Sequence, residues 1–124
     1  MPQSKVKQTA LNMVQPGLPR PLVNVVLLHG LNEDWYKSWG LDQKDSWSTH
    51  LREACPEANL WSVDYRIHWS EAGGGSMNLY ERALNVLATI DIPLDDDLPI
   101  VLMGHSYGGI LMKEMLRTGS QQAH

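Results

Sequence analysis

The segment GHSYG at residues 104–108 places a serine between two glycines, directly after the apolar run at 100–103. Ser106 is a candidate nucleophile for acyl transfer, because a serine on a tight strand-to-helix turn projects its hydroxyl above the edge of a sheet. Gly104 and Gly108 would remove side chains that would otherwise collide in that turn. The free amides and the positive end of the following helix would stabilise the oxyanion that forms on attack.

A second short motif, HGL at residues 29–31, follows the first apolar run of the chain. In a serine hydrolase one oxyanion donor is the amide after the nucleophile, which here is Tyr107, and the other comes from the loop after an adjacent strand. We predict that the Leu31 amide is this second donor and that Gly30 lets the backbone approach the substrate. The alternative is that Gly30 merely ends the strand. His29 is predicted to be a structural residue and not a base.

Three short apolar runs alternate with three segments of helical periodicity, and these elements must position the two motifs. The predicted strands are 22–28, 60–65 and 99–103. The predicted helices are 46–55, 77–90 and 106–119. Alternation of this kind predicts an α/β fold, in which a parallel sheet with right-handed crossovers lies between flanking helices in three layers.

The length of 124 residues suits a single domain. Three prolines between residues 16 and 21 exclude regular helix there, and an irregular lead-in is predicted over 1–21. The domain itself is predicted over 22–119, followed by a polar tail over 120–124.

Composition and charge narrow the classes of ligand and partner. The net charge of −4, without any run rich in lysine or arginine, argues against a nucleic-acid surface. The longest apolar runs are far shorter than the ~20 residues that cross a bilayer, so no transmembrane segment is predicted. A single cysteine, Cys55, excludes a disulfide within the chain. No His/Cys/Asp cluster has the spacing of metal ligands, and neither a metal nor another cofactor is predicted.

Three longer segments carry a resemblance to a known family: VVLLHGLNEDWYKSWG, WSTHLREACPEANLWSVDYR and LPIVLMGHSYGGILMKEML. Together they resemble the α/β-hydrolase superfamily and, within it, the serine esterases of the serine-active-site-containing protein group. The resemblance covers about residues 22–118. It implies hydrolysis of ester or lipid bonds, often at membranes or as one module of a larger protein. The default expectation is a cytoplasmic location, and the resemblance also implies association with mitochondria or the endoplasmic reticulum.

Three aromatic residues, Trp35, Tyr36 and Trp39, lie in the loop after the HGL motif. Two interpretations are open for them. They could line an acyl or alcohol pocket near Ser106, or they could cover the edge of the core. The substrate that the first interpretation implies is a small-molecule ester or a lipid.

Acyl transfer by a serine requires a base that accepts its proton and a carboxylate that holds the base in the right tautomer. In the α/β-hydrolase fold the acid and then the histidine follow the serine along the chain. The residues after Ser106 contain no aspartate, one glutamate (Glu114) and one histidine (His124). Glu114 is predicted to be a solvated helix residue, and His124 ends the polar tail. We therefore expect the acid and the base to be missing from this chain, with His68 as the best internal substitute for the base.

Three functional hypotheses follow from these observations. In the first, the chain is the front portion of a serine esterase or lipase-like domain that forms an acyl-enzyme at Ser106. In the second, it is a catalytically inactive binding module, whose exposed sheet edge takes a protein partner by strand addition. In the third, it is an active enzyme that uses His68 as its base.

Overall fold

The described residues, which are 9–31, 33–65, 78–94 and 97–122, form a four-stranded sheet with helices on both faces in the computed structural model. The strands are β1 (Ala10–Gln15), β2 (Val23–Leu28), β3 (Ala58–Asp64) and β4 (Ile100–Gly104). The helices are α1 (Trp47–Ala54), α2 (Leu79–Asp91) and α3 (Tyr107–Gln122), with a short 3-10 turn at Lys37–Trp39. The strand order is β1-β3-β2-β4.

Strand β2 lies inside the sheet, and its side chains alternate between two apolar cores. Val26 and Leu28 pack in the core formed with α2 and α3. Val25 and Leu27 belong to a second core on the opposite face, beside α1. A period of two with both faces buried is typical of an interior strand of a parallel sheet. The predicted three-layer α/β fold is therefore confirmed.

The sheet is mostly parallel, and its exception lies near the N-terminus. Strand β2 pairs in parallel with β3 and with β4, whereas β1 pairs with β3 in the antiparallel sense. The predicted parallel sheet is thus confirmed for β2, β3 and β4, and β1 adds an antiparallel edge strand. Part of the segment predicted as an irregular lead-in over 1–21 is regular, because residues 10–15 form β1. The prolines exclude regular helix only after residue 15. Before them, Leu11 and Val14 pack against the two cores, which accounts for the strand.

The two long helices begin and end close to the predicted positions. Helix α2 begins at a reciprocal cap, in which the Asn78 side chain accepts from the Glu81 amide at 2.8 Å and the Glu81 carboxylate accepts from the Asn78 amide at 3.2 Å. Helix α3 continues through Gly119, so the predicted polar tail over 120–124 is helical as far as residue 122. One glycine inside a helix costs only about 1 kcal/mol. No described helix has both the length and the apolar character needed to cross a bilayer.

Strand β4 has a free edge. It pairs with β2 on one side, and no other described strand pairs with its second side. Ile100, Val101 and Met103 are 45%, 45% and 37% exposed. The described part of the chain therefore contains the exposed, apolar sheet edge that the sequence predicts, and such an edge is a template for a further strand.

Asn24 joins the parallel strands through a buried polar network. Asn24 is completely buried in β2, and its side-chain oxygen accepts from Asn59 Nδ2 at 3.0 Å and from Trp61 Nε1 at 2.9 Å. The Asn59 side-chain oxygen in turn accepts from the Gly17 amide at 2.8 Å, which holds the segment after β1 against β3. Because buried donors need acceptors, this network fixes the end of the sheet opposite the two sequence motifs.

We predict that Asn24→Ala lowers the free energy of unfolding by about 2–4 kcal/mol, because it leaves the buried Asn59 donor and the partly buried Trp61 donor without their acceptor. Asn12→Ala in β1 is the matched control, since the buried Asn12 Nδ2 has no partner within the described residues. That variant should change the free energy of unfolding by less than about 1 kcal/mol. Urea denaturation followed by circular dichroism measures both. Equal losses for the two variants would contradict the role given to the network.

Candidate active site

Ser106 occupies the junction between β4 and α3 in a strained backbone conformation. Its φ of 59° lies in the left-handed region, which costs a non-glycine residue about 1–2 kcal/mol. The serine is exposed, and the next residue is the first of α3. A strand, a strained and exposed serine, and a helix in this order are the geometry of a nucleophile elbow.

The two glycines that flank the serine are required by close backbone contacts. A Cβ at Gly104 would lie 2.4 Å from the carbonyl carbon and oxygen of Gly108. A Cβ at Gly108 would lie 2.0 Å from the Leu28 carbonyl oxygen at the end of β2. Side chains at either position would force α3 away from the sheet, so glycine at both positions allows the helix to start directly above the strand ends.

The HGL loop meets this turn because β2 and β4 are adjacent and parallel and end at the same edge of the sheet. A Cβ at Gly30 would come within 3.0 Å of the Ser106 Cβ and 3.1 Å of the His105 carbonyl oxygen. Of the two predicted oxyanion donors, Leu31 therefore lies in the loop that contacts the serine turn, and Tyr107 directly follows the serine. The Tyr107 amide is the first of α3, and the first amides of a helix have no acceptor within it.

A buried aromatic layer supports both loops from below. His29 is fully buried and stacks on Tyr65, with ring centroids 4.1 Å apart, and the Tyr65 hydroxyl donates to the His29 carbonyl oxygen. The Arg82 guanidinium lies 5.6 Å over the Tyr65 ring and also hydrogen-bonds the Tyr107 side chain. Burial raises the pKa of Tyr65 and of Tyr107, so both phenols are uncharged near neutral pH. This position of His29 favours the predicted structural role.

Glu33 connects the two loops at the surface, and sequence reasoning missed it. One oxygen of its carboxylate accepts from the Gly30 amide at 2.7 Å, and the other lies 3.1 Å from His105 Nδ1. The available signal was an acidic residue three positions after Gly30, a spacing at which a side chain caps a backbone amide. The partner across the site, His105, carries no such local signal.

The three aromatic residues of the loop separate into two locations. Trp35 and Tyr36 line a cavity of about 270 Å³ together with residues of β1 and α1, and Ser106 is not among its lining residues. Trp39 packs edge-on against Trp47, with ring centroids 5.9 Å apart, and its ring lies 6.5 Å from that of His105. Of the three, Trp39 is therefore the one beside the serine turn.

The other described histidine and glutamate side chains with an acid–base partner lie away from Ser106. His68 and His124 lie outside the described residues. His50 is exposed on α1, 4.0 Å from the Glu53 carboxylate, and Glu114 pairs with Arg117 one turn along α3. The described residues also contain no group of three or more His, Cys, Asp or Glu side chains arranged to hold a metal ion.

The sequence over residues 25–120 matches a family model described as the alpha/beta hydrolase family. The chain belongs to the alpha/beta hydrolase family. The matched segment runs from β2 to α3 and includes both the HGL loop and the serine turn, so the resemblance seen in the sequence is confirmed for this family. Neither a curated protein nor a solved structure gives a significant match.

We predict that Gly108→Ala lowers the free energy of unfolding of this hydrolase-family chain by about 1–3 kcal/mol, because its new methyl group overlaps the Leu28 carbonyl. Gly119→Ala on the same helix is the control. A Cβ at Gly119 meets nothing within 4 Å, and alanine should raise the free energy of unfolding by up to about 1 kcal/mol. Urea unfolding compares the two. A Gly108→Ala variant as stable as the parent protein would show that α3 does not rest on β2 as described.

Proposed function

We propose that this chain carries the nucleophile and the oxyanion hole of a serine hydrolase that cleaves carboxylic esters. One observation carries the proposal: Ser106 has a left-handed φ of 59° between β4 and α3, and it lies against the loop that contains Gly30. The resemblance to serine esterases extends the proposed substrates to lipid esters. Small-molecule esters and lipids share the carbonyl group at which such a site acts.

In the proposed reaction, the Ser106 hydroxyl oxygen bonds to the ester carbonyl carbon, while a base takes the hydroxyl proton. The carbonyl oxygen gains the negative charge and accepts hydrogen bonds from the Leu31 and Tyr107 amides. The bond to the leaving alkoxide then breaks, and the alkoxide receives the proton from the base. Water hydrolyses the resulting acyl-enzyme by the same steps and releases the carboxylic acid.

Differential stabilisation of the oxyanion is the main contribution of the described residues. Removing a single oxyanion donor from a serine hydrolase typically costs about 100- to 1,000-fold in rate. Both proposed donors are backbone amides, so their positions depend on how the two backbone segments are held. The positive end of α3 adds to the same electrostatic stabilisation.

The proton acceptor is not assigned among the described residues. His29 is buried under the HGL loop and stacked on Tyr65. His50 lies on α1, which packs against the core that contains Val25 and Leu27. His68, outside the described residues, is the internal candidate for the base. Unchanged ester turnover in His68→Ala would remove it from that role.

We predict that a fluorophosphonate probe adds once to the protein purified from its native source, and that the adduct maps to Ser106. Ser106→Ala should abolish the adduct, because it removes the hydroxyl that is the proposed nucleophile. Ser38→Ala in the neighbouring loop is the matched control and should leave labelling unchanged. Intact mass followed by peptide mapping makes the measurement. An adduct that persists in Ser106→Ala would contradict the assignment of the nucleophile.

The second candidate function is a non-catalytic binding module, and the free edge of β4 is the observation that favours it. Ile100, Val101 and Met103 are exposed along that edge, where an extended segment of a partner protein could add as a further strand. The same labelling experiment separates the two functions. A folded protein whose Ser106 takes no adduct would support the binding module and overturn the proposed hydrolase.

A further inference from the structure

The Glu33 carboxylate contacts both the backbone of the HGL loop and the His105 side chain of the serine turn. Its Oε1 accepts from the Gly30 amide at 2.7 Å, and its Oε2 lies 3.1 Å from His105 Nδ1. The Glu33 amide also donates to the Gly30 carbonyl at 3.3 Å. The side chain and the main chain of Glu33 thus close a small ring around Leu31.

The two halves of this contact differ in strength. A hydrogen bond from an amide to an ionised carboxylate is shorter and roughly twice as strong as one between neutral groups. The side chain of Glu33 is 28% exposed and that of His105 is 64% exposed, so water screens the imidazole contact more than the amide contact. The bond to the Gly30 amide is therefore the main constraint on the loop, and His105 fixes the direction of the carboxylate.

We propose that Glu33 is a positioning residue, which holds the Leu31 amide at a fixed distance from the Tyr107 amide. This inference rests on the proposed function, because the distance matters only if both amides bind one oxyanion. Leu31 follows Gly30, whose amide Glu33 holds, and Tyr107 lies two residues after His105. The carboxylate therefore ties together the two backbone segments that must converge on the same oxygen atom.

The Glu33 carboxylate could also slow the reaction, and the direction of the rate change in the variants separates this effect from positioning. A carboxylate close to an oxyanion hole repels the negative charge that develops there. If repulsion dominated, removing the charge would speed acylation of Ser106. If positioning dominates, as we propose, removing the acceptor of the Gly30 amide slows acylation.

The test compares the variants Glu33→Ala and Glu33→Gln with the control Glu53→Ala. All are made in the protein as its full gene encodes it. Glu53 forms a similar carboxylate–imidazole pair with His50 on α1, with both side chains about 70% exposed, and it has no part in the site. Two quantities are measured for each variant. The first is the rate of fluorophosphonate addition to Ser106 as a function of probe concentration. The second is amide hydrogen exchange over residues 28–35, which does not depend on catalysis.

Glu33→Ala should lower the maximal addition rate by about 10-fold or more. A shift of about 1 Å in a group that stabilises the transition state can lower a reaction rate by up to about 100-fold. The half-saturating probe concentration should stay unchanged, and exchange over residues 28–35 should become faster. Glu33→Gln keeps an acceptor for the Gly30 amide and should recover most of the rate. Glu53→Ala should match the parent protein in both measurements.

Three results would overturn the inference. Addition to Glu33→Ala at the parent rate would show that the carboxylate positions nothing. Faster addition to Glu33→Gln than to the parent would show that repulsion dominates. If the parent protein itself takes no adduct, the proposed function fails, and exchange alone decides whether Glu33 holds the loop: unchanged exchange in Glu33→Ala would remove that contact as well.

Discussion

The direct contact between the start of α3 and the end of β2 is the constraint on which the proposed site depends. A Cβ at Gly108 would lie 2.0 Å from the Leu28 carbonyl oxygen, so the helix can reach the sheet only if this residue has no side chain. That approach leaves only two residues, His105 and Ser106, to turn the chain from strand to helix. The left-handed backbone of Ser106 is the consequence, and the packing around it supplies the free energy that the strained conformation costs.

The order of the strands converts this local geometry into a site with two sides. Because β2 and β4 are neighbours and run in parallel, the HGL loop and the serine turn leave the sheet at the same edge. Gly30 then comes within contact of Ser106. A buried layer containing His29 and Tyr65 lies beneath both loops, and the Glu33 carboxylate accepts from the Gly30 amide. The core and this side chain together hold the backbone near the serine.

The sequence predicted those elements whose backbone geometry depends on residues close together in the chain. Glycines two positions on either side of Ser106, between an apolar run and a helical pattern, indicate a tight turn because no other residue fits there. Apolar runs such as that of β2 indicate buried strands because both of their faces must leave water. These local signals were sufficient for the α/β fold and for the pair of loops.

Features that depend on distant partners were not predictable in the same way. Glu33 and His105 are 72 positions apart, and nothing in either neighbourhood indicates the other. Strand β1 was not predicted, because the prolines that follow it dominated the local sequence pattern. Its antiparallel pairing with β3 also lies outside the alternation of parallel strands and helices on which the prediction was based. Trp39 is separated from Trp35 by the 3-10 turn at Lys37–Trp39. The amino-acid composition of this loop does not predict such a turn.

A crystal structure of the protein with a phosphonate bound to Ser106 would test the central claim most directly, because the phosphoryl oxygen stands in for the oxyanion of acyl transfer. The amide nitrogens of Leu31 and Tyr107 should both lie about 2.7–3.1 Å from that oxygen. A phosphoryl oxygen directed into solvent, with either amide nitrogen beyond about 3.5 Å, would contradict the assignment of the two loops as an oxyanion hole.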